Sequence, residues 1–560
     1  MTKIAFVTKI DRRQFIGGSL LAAGGLVLMG PSSTKAAEGS IEILIDEPIG
    51  TILPEIYGHF VEHLGAVVYD GVWVGEASKI ANIGGIRKSL IDALKKIKAP
   101  VIRYPGGCFA DSYDWRNGIG DRAKRPHRTN FWAGAASEKV PPLSTSRFEP
   151  NTFGTNEFMR FCRLTGAKPY LAANLRGGTA KDFSDWVEYC NSPARSTTLA
   201  EQRAAGPTPS AEPFGVEYWG IGNESWGCGG NLTADEYSQE FRRFTAAVPG
   251  YKVPLKFVGA GASSDDLDWT RGFFAKTSEK GEGIFERIYG WGVHHYSWNV
   301  SAGRTSDWNA GKGDALNFNA EEYYELLREA QKVEKAVGDH WAAMGEFDKK
   351  HRVKILVDEW GAWHRPGTEV RPEHILGQQS TMRDALVASI TLDIFNRNAD
   401  KVVMGNVAQL VNCLHSLFLA DGDRFLETPT YHVFDMFMPH MGAQSVRTEF
   451  SVADFSYHRN GTTANFAGLT GSASINNNMI TLTVTNPHLT EPRESTIKLR
   501  GASVASAAAR VLSNDEVHAH NTFDNPRAVE PRDKKVAVSG GAIVFTFAPA
   551  SITQIQIRRG

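Results

Sequence analysis

Cysteine is scarce in this chain: five among 560 residues, at positions Cys108, Cys162, Cys190, Cys228 and Cys413. They are scattered, odd in number and include no C-x-x-C pair, which excludes a disulfide framework and a zinc ribbon. The expectation is free, mostly buried thiols, with room for one incidental disulfide such as Cys162 with Cys190. Neither sign of charge is in excess. Lys+Arg 61 against Asp+Glu 62 leaves a formal charge of −1, so neither nucleic acid nor an anionic membrane is expected as a partner. No Gly-x-Gly-x-x-Gly follows a strand-like run, so a dinucleotide fold is not indicated. No clustered ligand set implies a metal or an organic cofactor. A membrane span needs ~20 apolar residues, and the Gly/Ala-rich run at 16–29 is too short for one. What remains is an ordinary soluble composition, 42% hydrophobic and 22% charged, with 13 Trp that suit carbohydrate handling.

The basic residues Lys3, Lys9, Arg12 and Arg13 precede that apolar run, and a small-residue tract reaches Ala37. Paired arginines ahead of a moderately hydrophobic core resemble a twin-arginine export signal. Residues 1–37 are therefore expected to be removed after Ala36 or Ala37, leaving a periplasmic or secreted protein.

Two strand-like runs end in carboxylates. The segment 216–221 is apolar and aromatic, as a buried strand is, and stops at Gly222-Asn223-Glu224 before a Gly-rich loop. The segment 353–357 does the same, ending in Asp358-Glu359 with Trp360, Gly361 and Trp363 beyond. One such end reads as an ordinary salt bridge. Two matched ends in a repeating β/α chain read as a glycosidase pair, one acid protonating the leaving oxygen and the other carboxylate attacking the anomeric carbon. Burial raises a carboxyl pKa, which a general acid working near neutrality requires. Strand alternation turns Asp358 to the face opposite Glu359, leaving it as the alternative nucleophile.

Strands are expected to begin near Ile56, Val101, Pro169, Val216, Leu255, Ile288, Val353 and Val402. Helical patterns separate them at 86–97, 153–165, 183–190, 233–247, 320–337 and 378–396, and 431–438 closes the series. Eight β/α units match a (β/α)8 TIM barrel, whose functional groups sit at the carboxyl ends of strands. Glu62, Arg103, Glu224, Tyr296, Glu359 and Gln409 all fall at or just past such ends. A doubly wound open sheet would scatter them. From about Glu449, β-branched and alternating runs between Gly, Asn, Pro and Ser turns describe an antiparallel β-sandwich, jelly-roll-like. Two short strands in 40–56 could join it. The expected organisation is an export signal at 1–37, N-terminal strands at 38–53, a catalytic barrel at 54–440 and the sandwich at 441–560.

In this order the segments IYGHFVEHLG, VIRYPGGCFADSYDWRNGIG, EYWGIGNESWGCGG, GVHHYSWN, ILVDEWGAWH and NVAQLVNCL resemble glycoside hydrolase family 51, the α-L-arabinofuranosidases, over roughly 40–555. The resemblance implies a retaining, exo-acting barrel enzyme. It would release terminal non-reducing α-L-arabinofuranosyl residues from arabinan, arabinoxylan or derived oligosaccharides, without a cofactor, as a homo-oligomer, often a hexamer. By similarity Glu224 is the acid/base and Glu359 the nucleophile, with carboxyl groups ~5–5.5 Å apart. Asn223 matches the amide that binds the sugar 2-hydroxyl; Glu62, Arg103 and Gln409 hold other hydroxyls. Tyr296 aims Glu359, and Trp132 and Trp363 line the entrance. Cys108 occupies a substrate-facing position where other members often have Asn.

Plainer roles exist for several of these residues. Glu62 and Arg103 read equally as a buried ion pair across neighbouring strands, His294 as a satisfied core histidine, and Trp226 and Cys228 as loop packing. The competing functions are a related barrel glycosidase (a β-xylosidase or endoglucanase) and a non-catalytic sugar-binding protein, against which the presence of both carboxylates argues.

Overall fold

Eight parallel strands close into a barrel in the computed structural model, which describes residues 39–246, 248–298 and 311–560. In chain order they are Gly58–Phe60, Val101–Tyr104, Lys168–Ala173, Tyr218–Ile221, Lys256–Ser263, Ile288–Ser297, Lys354–Ala362 and Val402–Val407, close to their expected starts. Apolar residues near the strand starts, among them Val101, Tyr170, Tyr218, Val258, Leu356 and Met404, pack together as a floor inside the barrel. That plug leaves the carboxyl ends as the place where polar side chains can converge.

Helices cover the outside. Ala180–Asn191 starts from Thr179, whose hydroxyl accepts from Asp182 N while the Asp182 carboxylate returns the bond. The helix Ala320–Gly345 runs beyond its expected end, through Gly338. A glycine inside a helix costs only about 1 kcal/mol, and His340, Ala343 and Met344 are buried beyond it. The short helix Thr198–Ala204, the helix Leu267–Ser278 and the hairpin Phe418–Asp421/Arg424–Glu427 were not anticipated. Among the described residues no helix is long and apolar enough to cross a membrane. The segment 1–37 lies outside the described residues.

The second sheet has ten strands in one hydrogen-bonded series. Instead of two short strands, the chain opens with one, Gly39–Thr51, whose register shifts around Pro48. Proline cannot donate to a ladder, so the strand bulges there and continues. It pairs antiparallel with Gln444–Ser451 and parallel with Arg493–Leu499, the one parallel pair among the described residues of an otherwise antiparallel sheet. Strands Val504–Leu512 and Ala537–Ser539, from opposite ends of the series, touch, so the sheet curls over a core that includes Ile41, Leu482, Ile497, Phe545 and Ile555.

Helix Met382–Arg397 is buried between barrel and sheet. Its Asp393 Oδ1 accepts from Ser472 Oγ at 2.6 Å and Thr483 Oγ1 at 2.5 Å, and Asn396 links Tyr57 to Ser472. Burial pushes the Asp393 carboxyl up to about 7 despite both hydroxyls. Cys108 and Cys228 are joined in a disulfide, while Cys162, Cys190 and Cys413 are free and buried. Three of the five thus match the expectation of free, buried thiols, while the one disulfide joins Cys108 to Cys228 rather than Cys162 to Cys190. The bonded cysteines are 120 residues apart and meet because barrel closure brings together the loops after the second and fourth strands.

Two expectations follow. The folded protein keeps a proton on Asp393 between about pH 4 and pH 7, where the unfolded chain has released it, so stability falls as pH rises through that window. Asp393→Asn flattens this part of the stability curve, measured by urea unfolding at pH 5 and pH 8. Reduction, or Cys228→Ala, lowers unfolding stability by about 2–4 kcal/mol, read from denaturant midpoints with and without a dithiol.

Candidate active site

Strand seven, Lys354–Ala362, carries an irregularity that shapes the site. Gly292 pairs with Leu356 and His294 with Glu359, so strand seven spends three residues where strand six spends two. The same excess appears against strand eight, between Val357 and Trp360. A bulge of this kind interrupts strict alternation. Asp358 and Glu359 therefore both reach the barrel interior, while Trp360 packs outside against Phe395 and Phe434. This corrects the placement of Asp358 on the opposite face. Gly292 makes the room: a Cβ there would lie 2.5 Å from Asp358 Oδ1.

Glu224 follows the fourth strand in a left-handed backbone conformation, φ 40°, which non-glycine residues rarely adopt. Its carbonyl accepts from Gly227 N at 2.7 Å and Gly229 N at 3.1 Å, closing a tight turn. The side chain faces His294 Nδ1 at 3.0 Å. The two disulfide sulfurs, which carry no hydrogen, pack against its Oε2 at 3.5 Å (Cys228) and 3.9 Å (Cys108). One oxygen of Glu224, one of Glu359 and a ring nitrogen of His294 all lie within 4.8 Å of one another.

Arg103 ties the centre together. Its guanidinium donates to Glu359 Oε1 at 2.7 Å and to Asn223 Oδ1 at 2.6 Å, lies 3.8 Å from Asp358 Oδ2, and stacks on Phe60. Tyr296 donates its hydroxyl to Glu359 Oε2 at 2.8 Å. Glu62 sits to one side. Its carboxylate accepts from Phe109 N, Trp132 Nε1 and Gln409 Nε2, and the Gln409 carbonyl accepts from Glu62 N. Glu62 and Arg103 are thus not an ion pair across neighbouring strands; each is committed to other partners. Trp363 packs edge-on against Tyr296, with the Lys312 ammonium 4.0 Å from its ring centroid.

The charges are matched rather than solvated. Burial opposes a charged Arg103, but Asp358 and Glu359 more than offset it and raise its pKa. Burial likewise opposes a charged His294, yet Glu359, Asp358 and Glu224 push it up to about 10, so the ring is an imidazolium at neutral pH. Burial raises Asp358, but Arg103 and His294 outweigh it and hold the carboxyl below its ordinary value. For Glu62, burial and then the nearby Glu359 charge push the pKa up to about 7. Glu224 is the more open of the facing carboxyl groups, its side chain 19% exposed against 7% for Glu359. An open group can exchange a proton with water; an enclosed one beside Arg103 is suited to attack.

The structure brings Glu62, Arg103, Cys108, Asn223, Glu224, Tyr296, Glu359 and Gln409 to one barrel mouth, with Trp132 and Trp363 at its edge. His294 belongs to the same cluster and is no isolated core histidine. Cys228 is bonded to Cys108, whereas Trp226 does pack its loop, donating Nε1 to Gly261 O at 3.0 Å. Sequence reasoning missed Asp111, which accepts three backbone N–H bonds beneath Asn223. Its segment was among the recognised ones, but nothing local marks an aspartate that serves loops distant in the chain. Among the described residues, three groupings have donor atoms close enough for a metal. In one, Asp70–His374–Asp421, Arg371 bridges the carboxylates at 2.8 Å each. In the second the sulfurs are tied up in the disulfide, and in the third the His294 ring already bridges the Glu224 and Asp358 carboxylates.

Comparison with known proteins agrees with this geometry. The family described as "Alpha-L-arabinofuranosidase 1 domain" matches residues 93–313, and "Alpha-L-arabinofuranosidase C-terminal domain" matches 358–551. An intracellular exo-α-L-arabinofuranosidase of Bacteroides ovatus is 32% identical over 545 residues, covering 96% of this chain and 99% of its own. A GH51 arabinofuranosidase from Xanthomonas axonopodis pv. citri superposes with a TM-score of 0.84 at 32% identity, over 93% of this chain and all (100%) of its own. The α-L-arabinofuranosidase of Thermotoga maritima, solved as an arabinose complex, gives 0.75 at 27% identity over 93% and 100%. The Bacteroides ovatus relative is named an intracellular enzyme, so the expected export, and with it the periplasmic or secreted location, does not stand. Paired arginines before a moderately apolar run are a weak address, since charge and hydropathy alone are shared by many stretches that are never exported. An identity of 32% sustained across nearly the whole of both chains leaves one assignment: this protein belongs to glycoside hydrolase family 51, the α-L-arabinofuranosidases, and is a glycoside hydrolase.

Proposed function

We propose that the chain is a retaining, exo-acting α-L-arabinofuranosidase in which Glu224 is the acid/base and Glu359 the nucleophile. The observation that carries this reading is the approach of the two carboxyl groups, within 4.8 Å through their nearest oxygens. Retaining enzymes hold the pair ~5–5.5 Å apart, whereas inverting ones leave ~6.5–9.5 Å for a water. In the first step Glu224 gives its proton to the leaving oxygen as Glu359 attacks the anomeric carbon. In the second, Glu224 takes a proton from water, which attacks the same carbon and frees Glu359. The His294 imidazolium, 3.0 Å from Glu224 and 3.4 Å from Glu359, offsets the charge that appears on Glu224 as its proton leaves.

The polar groups around Glu359 support a small terminal sugar as the substrate. Arg103 and Tyr296 bond Glu359, Asn223 bonds Arg103, and Glu62 with Gln409 and Trp132 forms the adjoining network. Terminal α-L-arabinofuranosyl groups of arabinan, arabinoxylan or their oligosaccharides are the proposed substrates, in keeping with the names of the full-length relatives. The catalytic domain is taken as 54–440, with 38–53 and 441–560 as a supporting sheet domain. A hexamer belongs to the same proposal and rests on family resemblance alone.

Initial rates on aryl α-L-arabinofuranoside, β-D-xylopyranoside, α-L-arabinopyranoside and β-D-glucoside test the substrate. Turnover of the arabinofuranoside, abolished in Glu359→Gln, is expected; faster xyloside or glucoside cleavage would keep the mechanism and replace the sugar. Glu224→Ala should lower hydrolysis of unactivated arabinosides by about 10²–10⁴-fold. Aryl substrates with strongly acidic leaving groups should lose far less in kcat/KM, and added azide should restore their slowed second step, giving a glycosyl azide. Equal losses on both substrate classes would remove Glu224 as the acid.

A further inference from the structure

Asp111 is fully buried in the short turn Ala110–Ser112, and its carboxylate accepts from backbone N–H groups. Its Oδ1 accepts from Leu175 N at 2.7 Å and Arg176 N at 3.0 Å, both just beyond the third barrel strand. Its Oδ2 accepts from Asn223 N at 2.9 Å, just beyond the fourth. One carboxylate thus gathers the loops after strands two, three and four at the residue preceding Glu224. Burying a carboxylate is costly, and packing alone would favour an apolar side chain here.

What the carboxylate supports is a strained turn. Glu224 is left-handed at φ 40° and follows Gly222 at φ 79°. Such a backbone persists only when its surroundings over-determine it. Gly229 closes the turn over Asp111: a Cβ there would sit 1.7 Å from Asn223 O and 2.8 Å from Asp111 Oδ2. Arg176 braces the same turn, donating to the Asp111 carbonyl at 3.2 Å and to the Cys228 carbonyl at 2.9 Å. The disulfide then ties Cys228 to Cys108, three residues before Asp111.

We infer that Asp111 is a positioning residue for Glu224, holding the turn after strand four so that the acid/base carboxyl meets the leaving oxygen. The inference rests on the reading of Glu224 as acid/base. It differs from a stability role in what it should spare. In the first step, which kcat/KM reports, a misaimed proton donor slows only those bonds whose leaving group needs a proton, whereas a loss of folded protein lowers kcat/KM for every substrate equally.

The test is a leaving-group series of α-L-arabinofuranosides, from dinitrophenyl through nitrophenyl to methyl, run on the wild type, Asp111→Asn and Glu224→Ala. Asparagine keeps the size but turns an NH₂ donor toward one of the three N–H groups. Asp111→Asn should lose about 10- to 100-fold in kcat/KM on the methyl glycoside, the scale of a small misplacement. Its kcat/KM on the dinitrophenyl glycoside should stay within a factor of about 3 of the wild type, because that leaving group departs without a proton. Loss by one common factor across the series overturns the inference, as does an unchanged profile. If Glu224→Ala also shows no leaving-group dependence, the acid/base reading itself fails, which separates the two failures. Should Asp111→Asn not fold, Asp111→Ser, smaller and still an acceptor, takes the same series under the same criteria.

Discussion

Four carboxyl groups, Glu62, Glu224, Asp358 and Glu359, share the mouth of one barrel, and the arrangement depends on the Arg103 guanidinium set among them. Arg103 spans Glu359, Asp358 and Asn223, the ends of strands seven and four, and is itself almost wholly buried. Without it two adjacent carboxylates on strand seven would face each other in a site nearly closed to water, where like charges repel strongly. His294 completes the balance from strand six, touching Glu224 on one side and Asp358 on the other. A guanidinium suits the central place because it stays charged when buried and presents a planar fork of donors.

Two backbone irregularities turn this balance into a working geometry. The bulge in strand seven delivers Asp358 and Glu359 to the same interior, so one residue can serve Arg103 and His294 while its neighbour lies close to Glu224. The left-handed Glu224 swings its carboxyl over the pocket from the end of strand four. Each irregularity is held by contacts from elsewhere: Gly292 gives space to Asp358, and Asp111 with the Cys108–Cys228 bridge anchors the turn that carries Glu224. Order in the site thus comes from loops that converge only when the barrel closes.

The second sheet is joined to that barrel at several places. The strand before the first barrel strand runs through the middle of the sheet, and helix Met382–Arg397 offers Asp393 and Asn396 to Ser472 and Thr483. The helix lies against strands seven and eight, its Phe395 meeting Trp360 and the Gly405 backbone, so the sheet is joined to the side of the barrel from which Glu359 projects. Polar side chains at this seam act as register marks, because each has only one arrangement that satisfies it.

Much of this was legible in the chain. The eight strand starts were readable because each barrel strand is a short apolar run bounded by helical periodicity, and local composition carries that pattern. Glu224 and Glu359 stood out because a carboxylate after a buried run is chemically conspicuous wherever the chain later goes. Three things were not legible. Asp358 was misplaced because alternation holds only for regular strands, and the bulge that breaks it is a matter of pairing with two neighbours. Cys108 and Cys228 were read as unpaired because 120 residues separate them, and only barrel closure makes their loops adjacent. His294, Asp111 and the partners of Glu62 had no local signature, since what makes each of them matter is which charges and N–H groups surround it. The sequence by itself determined the kinds of element and the chemical groups at their ends, because these depend on neighbours along the chain. The tertiary structure decided which of those groups face one another and in what state of charge, because burial and electrostatics depend on neighbours in space.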